Sequence, residues 1–194
     1  YVLKRANGEI IAVVEAKRTT IDPRLAQAQA EFYVNELAKR QSFRPFAFLS
    51  NGEEIYFLDV KTLNRRAVAG FFSPEDLENL LWLRQNQLPL AQTAIDSSMI
   101  NRSYQHEALR RVAEAFDQGR RKALLVMATG TGKTRTAMAL VDLFLRSNQA
   151  RRILFVADRD ELVRQALNDG FKTYLPQEPC TRIFSDKIEK ENRL

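Results

Sequence analysis

Seven consecutive residues, Ala128-Thr129-Gly130-Thr131-Gly132-Lys133-Thr134, have the composition of a loop that holds phosphate. Glycines at 130 and 132 let the backbone curl until successive N–H groups point inward at anionic oxygens. A helix opening just after them adds the partial positive charge of its first turn. Lys133 can then reach the β- and γ-phosphates of a nucleotide, and the Thr134 hydroxyl can ligate Mg²⁺. The full glycine-rich pattern asks for glycine five positions before Gly132, where Met127 stands, but the Gly-x-Gly-Lys-Thr core is intact. The bland alternative is a glycine turn that opens an ordinary helix. An apolar run before the loop and an Ala/Leu-rich run after it favour phosphate.

A second group lies near the start. Glu15-Ala16-Lys17 follows a run rich in Val and Ile, and on a strand Glu15 and Lys17 project from one face. A carboxylate can hold a divalent cation, while an ammonium beside it positions water or neutralises charge developing on phosphate. As a bare pattern, Glu-x-Lys is a common surface pair. Gln29 and Tyr33 follow, on one helix face at i, i+4; their plain structural reading is a packed tyrosine and a solvated amide.

Two further stretches flank the phosphate loop. Upstream, Arg102-Ser103-Tyr104-Gln105 opens a helical pattern for which Ser103 is the expected cap. The Gln105 amide can donate to and accept from the edge of adenine at once; taken alone it is a polar residue in a first turn. Downstream, residues 153–165 pass from an apolar run into a helical one, with Asp158 and Glu161 reading as cap and N3 partner. Arg159 and Arg164 are either contacts to a nucleic-acid backbone or solvated charges.

These residues need elements to position them. Residues 1–5 and 10–16 read as two strands joined through Asn7-Gly8, a dipeptide suited to a tight turn. Asp22-Pro23 marks a turn, 25–40 a helix, and 43–49 with 55–60 a second strand pair across Asn51-Gly52. Ser73-Pro74-Glu75-Asp76 carries the signals of a helix start. Residues 84–98, glutamine-rich with Pro89, read as a linker. Beyond them, 104–117 is apolar on one helical face. Runs 123–128 and 153–157 are short and wholly apolar, each followed by a helix (133–146 and 161–167), which is the pattern of a parallel sheet covered on both faces.

Composition narrows the function classes. Hydrophobic residues make up 45% of the 194 and charged residues 28%, the balance of a folded globular chain. The apolar runs are far shorter than a membrane helix requires, and the first residues lack the apolar stretch of a secretory leader. One cysteine, Cys180, and one histidine, His106, exclude an internal disulfide and a His/Cys zinc cluster. The reading expects a cytoplasmic protein. Its net charge is +6, carried mainly after residue 90, a hint of a polyanionic partner.

Arg102–Gln105, the loop 128–134 and residues 155–165 together resemble the first RecA-like half of a superfamily-two helicase or DNA translocase. The resemblance implies ATP and Mg²⁺ as cofactors, with Arg102, Gln105, Thr129, Gly130, Thr131, Gly132, Lys133 and Thr134 at the nucleotide, Thr134 on the metal, and Arg159 and Arg164 on DNA. The front segment, with its hairpin, Glu-x-Lys strand and Gln-x-x-x-Tyr helix, resembles the PD-(D/E)xK nuclease domain of the motor subunit of type I restriction enzymes. That resemblance implies Glu15 as metal ligand with the Ala16 carbonyl, Lys17 as catalytic, and Gln29 and Tyr33 in support. It also implies double-stranded DNA and separate modification and specificity subunits as partners, with no membrane. The family pattern puts a metal-binding Asp before Tyr1 and a Walker B acid after Leu194, so the reading expects a fragment in which neither active site is complete. The expected fold is α/β: a small restriction-endonuclease-like mixed sheet over 1–88, a linker at 89–99, and a partial RecA-like parallel α/β domain over 100–194. A repair or remodelling helicase with a non-catalytic DNA-binding front domain, or a nuclease-fold adaptor without activity, are the rival readings.

Overall fold

The computed structural model describes residues 1–183. These divide into two units, one of Tyr1–Trp82 and one from Leu83 onward. The first is built on a single five-stranded sheet in the order β1 (Val2–Lys4), β2 (Ile10–Ala16), β3 (Phe46–Ser50), β4 (Ile55–Asp59), β5 (Asn64–Val68). β1 and β2 pair antiparallel across Asn7-Gly8, with Gly8 at φ +86° and the Asn7 carboxamide oxygen accepting from the Glu9 N–H at 3.1 Å. β2 and β3 run parallel, with Ala12 opposite Phe46 through to Ala16 opposite Ser50. The remaining pairs are antiparallel, and Gly52 at φ +93° supplies the turn between β3 and β4.

A parallel pair cannot be closed by a tight turn, so the chain must cross the sheet between β2 and β3. It does so through a 3-10 turn, Pro23–Ala26, and helix α1, Gln27–Ala38. The apolar face of that crossover, Ala26, Ala30 and Val34, packs on Val13, Ala47, Leu49 and Leu58. The opposite sheet face holds Ile11, Val14, Phe46, Phe48 and Phe57 against Leu77 and Leu81 of helix α2, Pro74–Asn86. As the sequence indicates, Ser73 caps α2: its hydroxyl accepts from the Asp76 N–H at 3.1 Å.

The second unit contains α3 (Ser103–Asp117), α4 (Lys133–Arg146) and α5 (Asp160–Gln165). α5 continues through a π-helical turn, Ala166–Phe171, into α6, Lys172–Tyr174. Ile100, Leu109, Met138, Ala139 and Leu175 form its main core, with Phe155 and Phe171 packed against it.

Several expectations are corrected here. The apolar runs 123–128 and 153–157 form no ladder with each other or with any described residue. A ladder needs a neighbouring strand at about 4.8 Å, and without one their outward side chains stay bare: Leu124 is 85% exposed, Val126 88% and Val156 77%. Residues 84–98 are not a loose tether. α2 extends to Asn86, and Leu90 is buried with Ala113 and Leu143, its N–H bonded to the Asp117 carboxylate at 2.9 Å. Ser103 and Asp158 do not cap: α3 and α5 begin after Arg102 and Arg159, with no side-chain cap, because the extended φ/ψ of the cap position falls on those arginines. β5, with three polar residues in five, carries no apolar pattern and is held by its pairing with β4. Residues 184–194, within the span expected for the second domain, lie outside the described residues.

Phe48 is fully buried and its ring meets those of Phe57, Phe71 and Phe72 at centroid distances of 5.2–5.4 Å. Phe48→Ala should cost about 3–5 kcal/mol in denaturant unfolding; a loss under about 1 kcal/mol would mean that this aromatic cluster does not organise the sheet.

Candidate functional site

In the second unit residues 128–134 lead from a run without regular structure into helix α4. Gly130 and Gly132 both adopt positive φ, +76° and +82°, a region that costs other residues about 1 kcal/mol or more. Gly132 is the N-cap of α4, so Lys133 and Thr134 open the helix. The Lys133 ammonium is exposed and makes a long contact, 3.4 Å, to the Met127 carbonyl. Thr129 and Gly130 lie exposed at the loop's tip.

Helix α3 holds the loop from one side. The Thr131 carbonyl accepts from the Tyr104 hydroxyl at 2.9 Å and from the Gln105 amide nitrogen at 3.2 Å. Arg102 donates to the Tyr104 oxygen at 2.6 Å and lies over that ring. Gln105 is 2% exposed, and its Oε1 is buried without a hydrogen-bond partner among the described residues. An acceptor left bare in this way is costly unless something supplies a donor. The arrangement fits a nucleotide: two left-handed glycines and a free ammonium for phosphates, and an unused amide oxygen for an exocyclic amine. Tyr104 was not singled out by the sequence, although its place next to Gln105 is a usable signal. Arg159 and Arg164 stand exposed on the α5 end, 3.9 Å from Asp158 and 2.5 Å from Glu161 respectively.

The first unit brings its four candidates together. Glu15 ends the α1-facing side of β2. The Lys17 ammonium donates to the Glu15 carboxylate at 3.1 Å and to the Gln29 side-chain oxygen at 2.9 Å, and the Gln29 amide nitrogen donates to the Tyr33 hydroxyl at 3.1 Å. One continuous chain of hydrogen bonds therefore runs from strand to helix. Ala16 lies opposite Ser50 at the end of the parallel ladder. Tyr1 lies close by, its amino group donating to the Val14 carbonyl at 2.8 Å. Tyr1, Glu15 and Tyr33 line one cavity of about 520 Å³ together with Glu36 and Arg40, two residues that sequence reasoning missed. Asp22, which does not line that cavity, is bound by Arg24 through side chain and backbone, and Arg24 holds its carboxyl below the usual range. These residues do not by themselves assemble a divalent-cation site. Glu15 is one carboxylate already paired with Lys17, and no group of three possible ligands occurs among the described residues.

Residues 98–193 match the family described as Type III restriction enzyme, res subunit. The chain is homologous to endonuclease subunits of type I restriction enzymes. It is 34% identical over 186 residues to that of EcoAI from Escherichia coli, covering 89% of this chain and 22% of the relative. It is 35% identical over 164 residues to that of EcoKI from Escherichia coli strain K12, covering 76% and 14%. The chain thus spans about a fifth or less of the curated relatives it matches. A solved fragment assigned to an HsdR subunit of a type I restriction enzyme from Vibrio vulnificus YJ016 is 29% identical, covers 73% of this chain and 27% of that one, and superposes with a TM-score of 0.36. Among the described residues no helix is long and apolar enough to cross a membrane.

A Cβ added at Gly132 would stand 2.6 Å from the Gln105 amide nitrogen. Gly132→Ala should therefore lower stability by about 1–3 kcal/mol, from positive φ and the clash together. Truncating Gln105 to Ala in the same chain should recover part of that loss. Equal melting of Gly132→Ala and wild type would contradict the loop geometry.

Proposed function

We propose that this chain is part of the restriction subunit of a type I restriction-modification enzyme, one that moves double-stranded DNA with ATP and cuts it. The observation that carries the motor half is the loop 129–134: two left-handed glycines, an exposed Lys133 and the buried, unpartnered Gln105 oxygen beside them. In this reading the loop N–H groups and Lys133 bind the phosphates, and Gln105 accepts from the base. The Thr134 hydroxyl would help to hold Mg²⁺, which would supply positive charge to offset that of the phosphates. Arg102 and Tyr104 hold the loop's outer rim, while Arg159 and Arg164 meet the DNA backbone. Companion subunits for modification and for sequence recognition are part of the same proposal, supported by similarity to type I endonuclease subunits, and the cytoplasm is the compartment proposed.

The cutting half rests on the hydrogen-bonded chain Glu15–Lys17–Gln29–Tyr33. Lys17 is held by Glu15 and Gln29 at the edge of a cleft, where its charge can stabilise a phosphate that gains negative charge. Tyr33 fixes Gln29, and Gln29 fixes Lys17. A divalent ion at this centre needs ligands beyond Glu15 and the Ala16 carbonyl.

ATP with Mg²⁺ should raise the melting temperature of the chain by mass action, and Lys133→Ala should remove the shift without changing the apo melting point. An undiminished shift in that variant would sink the nucleotide reading. In the assembled enzyme, Glu15→Ala and Lys17→Ala should each abolish DNA cleavage and leave ATP-driven translocation intact. Cleavage at wild-type rate in either variant would return the front unit to a binding or scaffolding role.

A further inference from the structure

Gly170 lies buried in the π-helical turn, against the first turns of α4. Its φ is outside the left-handed region, so conformation does not demand glycine there. Space does. A Cβ at 170 would stand 3.2 Å from the Thr134 methyl carbon, 3.3 Å from Met138 Sδ and 3.4 Å from Met138 Cγ. Met138 is fully buried and has no solvent to move into. Nor can the turn easily retreat. Phe171 meets Phe155 at 6.0 Å, Tyr174 lies under the Arg135 guanidinium at 5.3 Å, and Arg135 is itself tied to the Met99 carbonyl at 2.9 Å. Single π turns inside α-helices are frequent at functional sites.

Thr134 carries its methyl and hydroxyl on the same carbon, so one torsion places both. A neighbour that touches the methyl therefore also sets the direction of the hydroxyl. We propose that Gly170 is a positioning residue for the Mg²⁺–nucleotide site: its bare Cα admits the Thr134 methyl and so fixes the rotamer from which the Thr134 hydroxyl reaches the metal. The inference rests on the reading of 129–134 as a nucleotide loop, and it adds a residue some 36 positions downstream that the loop pattern does not contain.

The test is a titration of the chain with a fluorescent ATP analogue, once with Mg²⁺ and once with EDTA. Wild type should bind in both conditions and more tightly with Mg²⁺. In Gly170→Ala the gain from Mg²⁺ should fall by about tenfold while binding in EDTA changes less than about twofold. Thr134→Ser keeps the hydroxyl and deletes the methyl, so adding Gly170→Ala to it should alter the Mg²⁺ gain by less than about twofold. Should Gly170→Ala alone fold too poorly to titrate, its comparison in the serine background decides. Equal losses with and without Mg²⁺, an unchanged Mg²⁺ gain, or the same loss in both backgrounds would overturn the positioning role. Absence of any wild-type binding would overturn the nucleotide reading itself, a different result.

Discussion

A loop that turns its N–H groups toward a ligand must turn carbonyls the other way, and those carbonyls need donors. In the glycine-bearing loop 129–134 that need falls on Thr131, whose carbonyl takes hydrogen bonds from both Tyr104 and Gln105. Here α3 and the loop become one object. The left-handed glycines on either side of Thr131 make the curl possible, and the two α3 side chains hold it curled without a ligand. The arrangement leaves one cost unmet, the bare Gln105 oxygen, in a place where a nucleotide base could meet it.

The first unit solves a similar positioning problem with topology. Parallel pairing of β2 and β3 forces a crossover, and the crossover is the helix that carries Gln29 and Tyr33. Burial of Ala30 and Val34 on the sheet sets the rotation of that helix, which directs Gln29 at Lys17. Small residues on the buried stripe bring helix and strand close enough for side chains of moderate length to bridge them. The pairing of Glu15 with Lys17, whose side chains are 15% and 28% exposed, holds a charge at a defined place.

Most of this arrangement was legible from residue types. Asn7-Gly8 and Asn51-Gly52 announced their turns, and the Ser73-Pro74 start and the helix at Lys133 stand where capping and glycine chemistry put them. Strand and helix periodicity put Glu15 with Lys17 on one face and Gln29 with Tyr33 on another, but the hydrogen bond that joins the two pairs depends on the crossover between β2 and β3. What escaped was set by partners rather than by pattern. β5 is polar and exists because β4 offers an edge to it, whereas 123–128 and 153–157 are apolar and carry no ladder because no described neighbour offers one. Leu90 lies in a polar, glutamine-rich stretch that reads as a tether, yet a single leucine and the Asp117 carboxylate suffice to fasten it. Gly170 is invisible to any local rule, since its role depends on a contact with Thr134 across the core.

The claim most exposed to direct measurement is that residues 129–134 recognise phosphates rather than merely start a helix. Calorimetric titration of the chain with ATP, ADP and AMP, each with Mg²⁺, separates the two. A loop built around the β-phosphate binds ADP within about tenfold of ATP and AMP at least about 100-fold more weakly, because most charge-assisted hydrogen bonds go to the second and third phosphates. AMP binding as tightly as ATP, or no heat from any of the three, would contradict it.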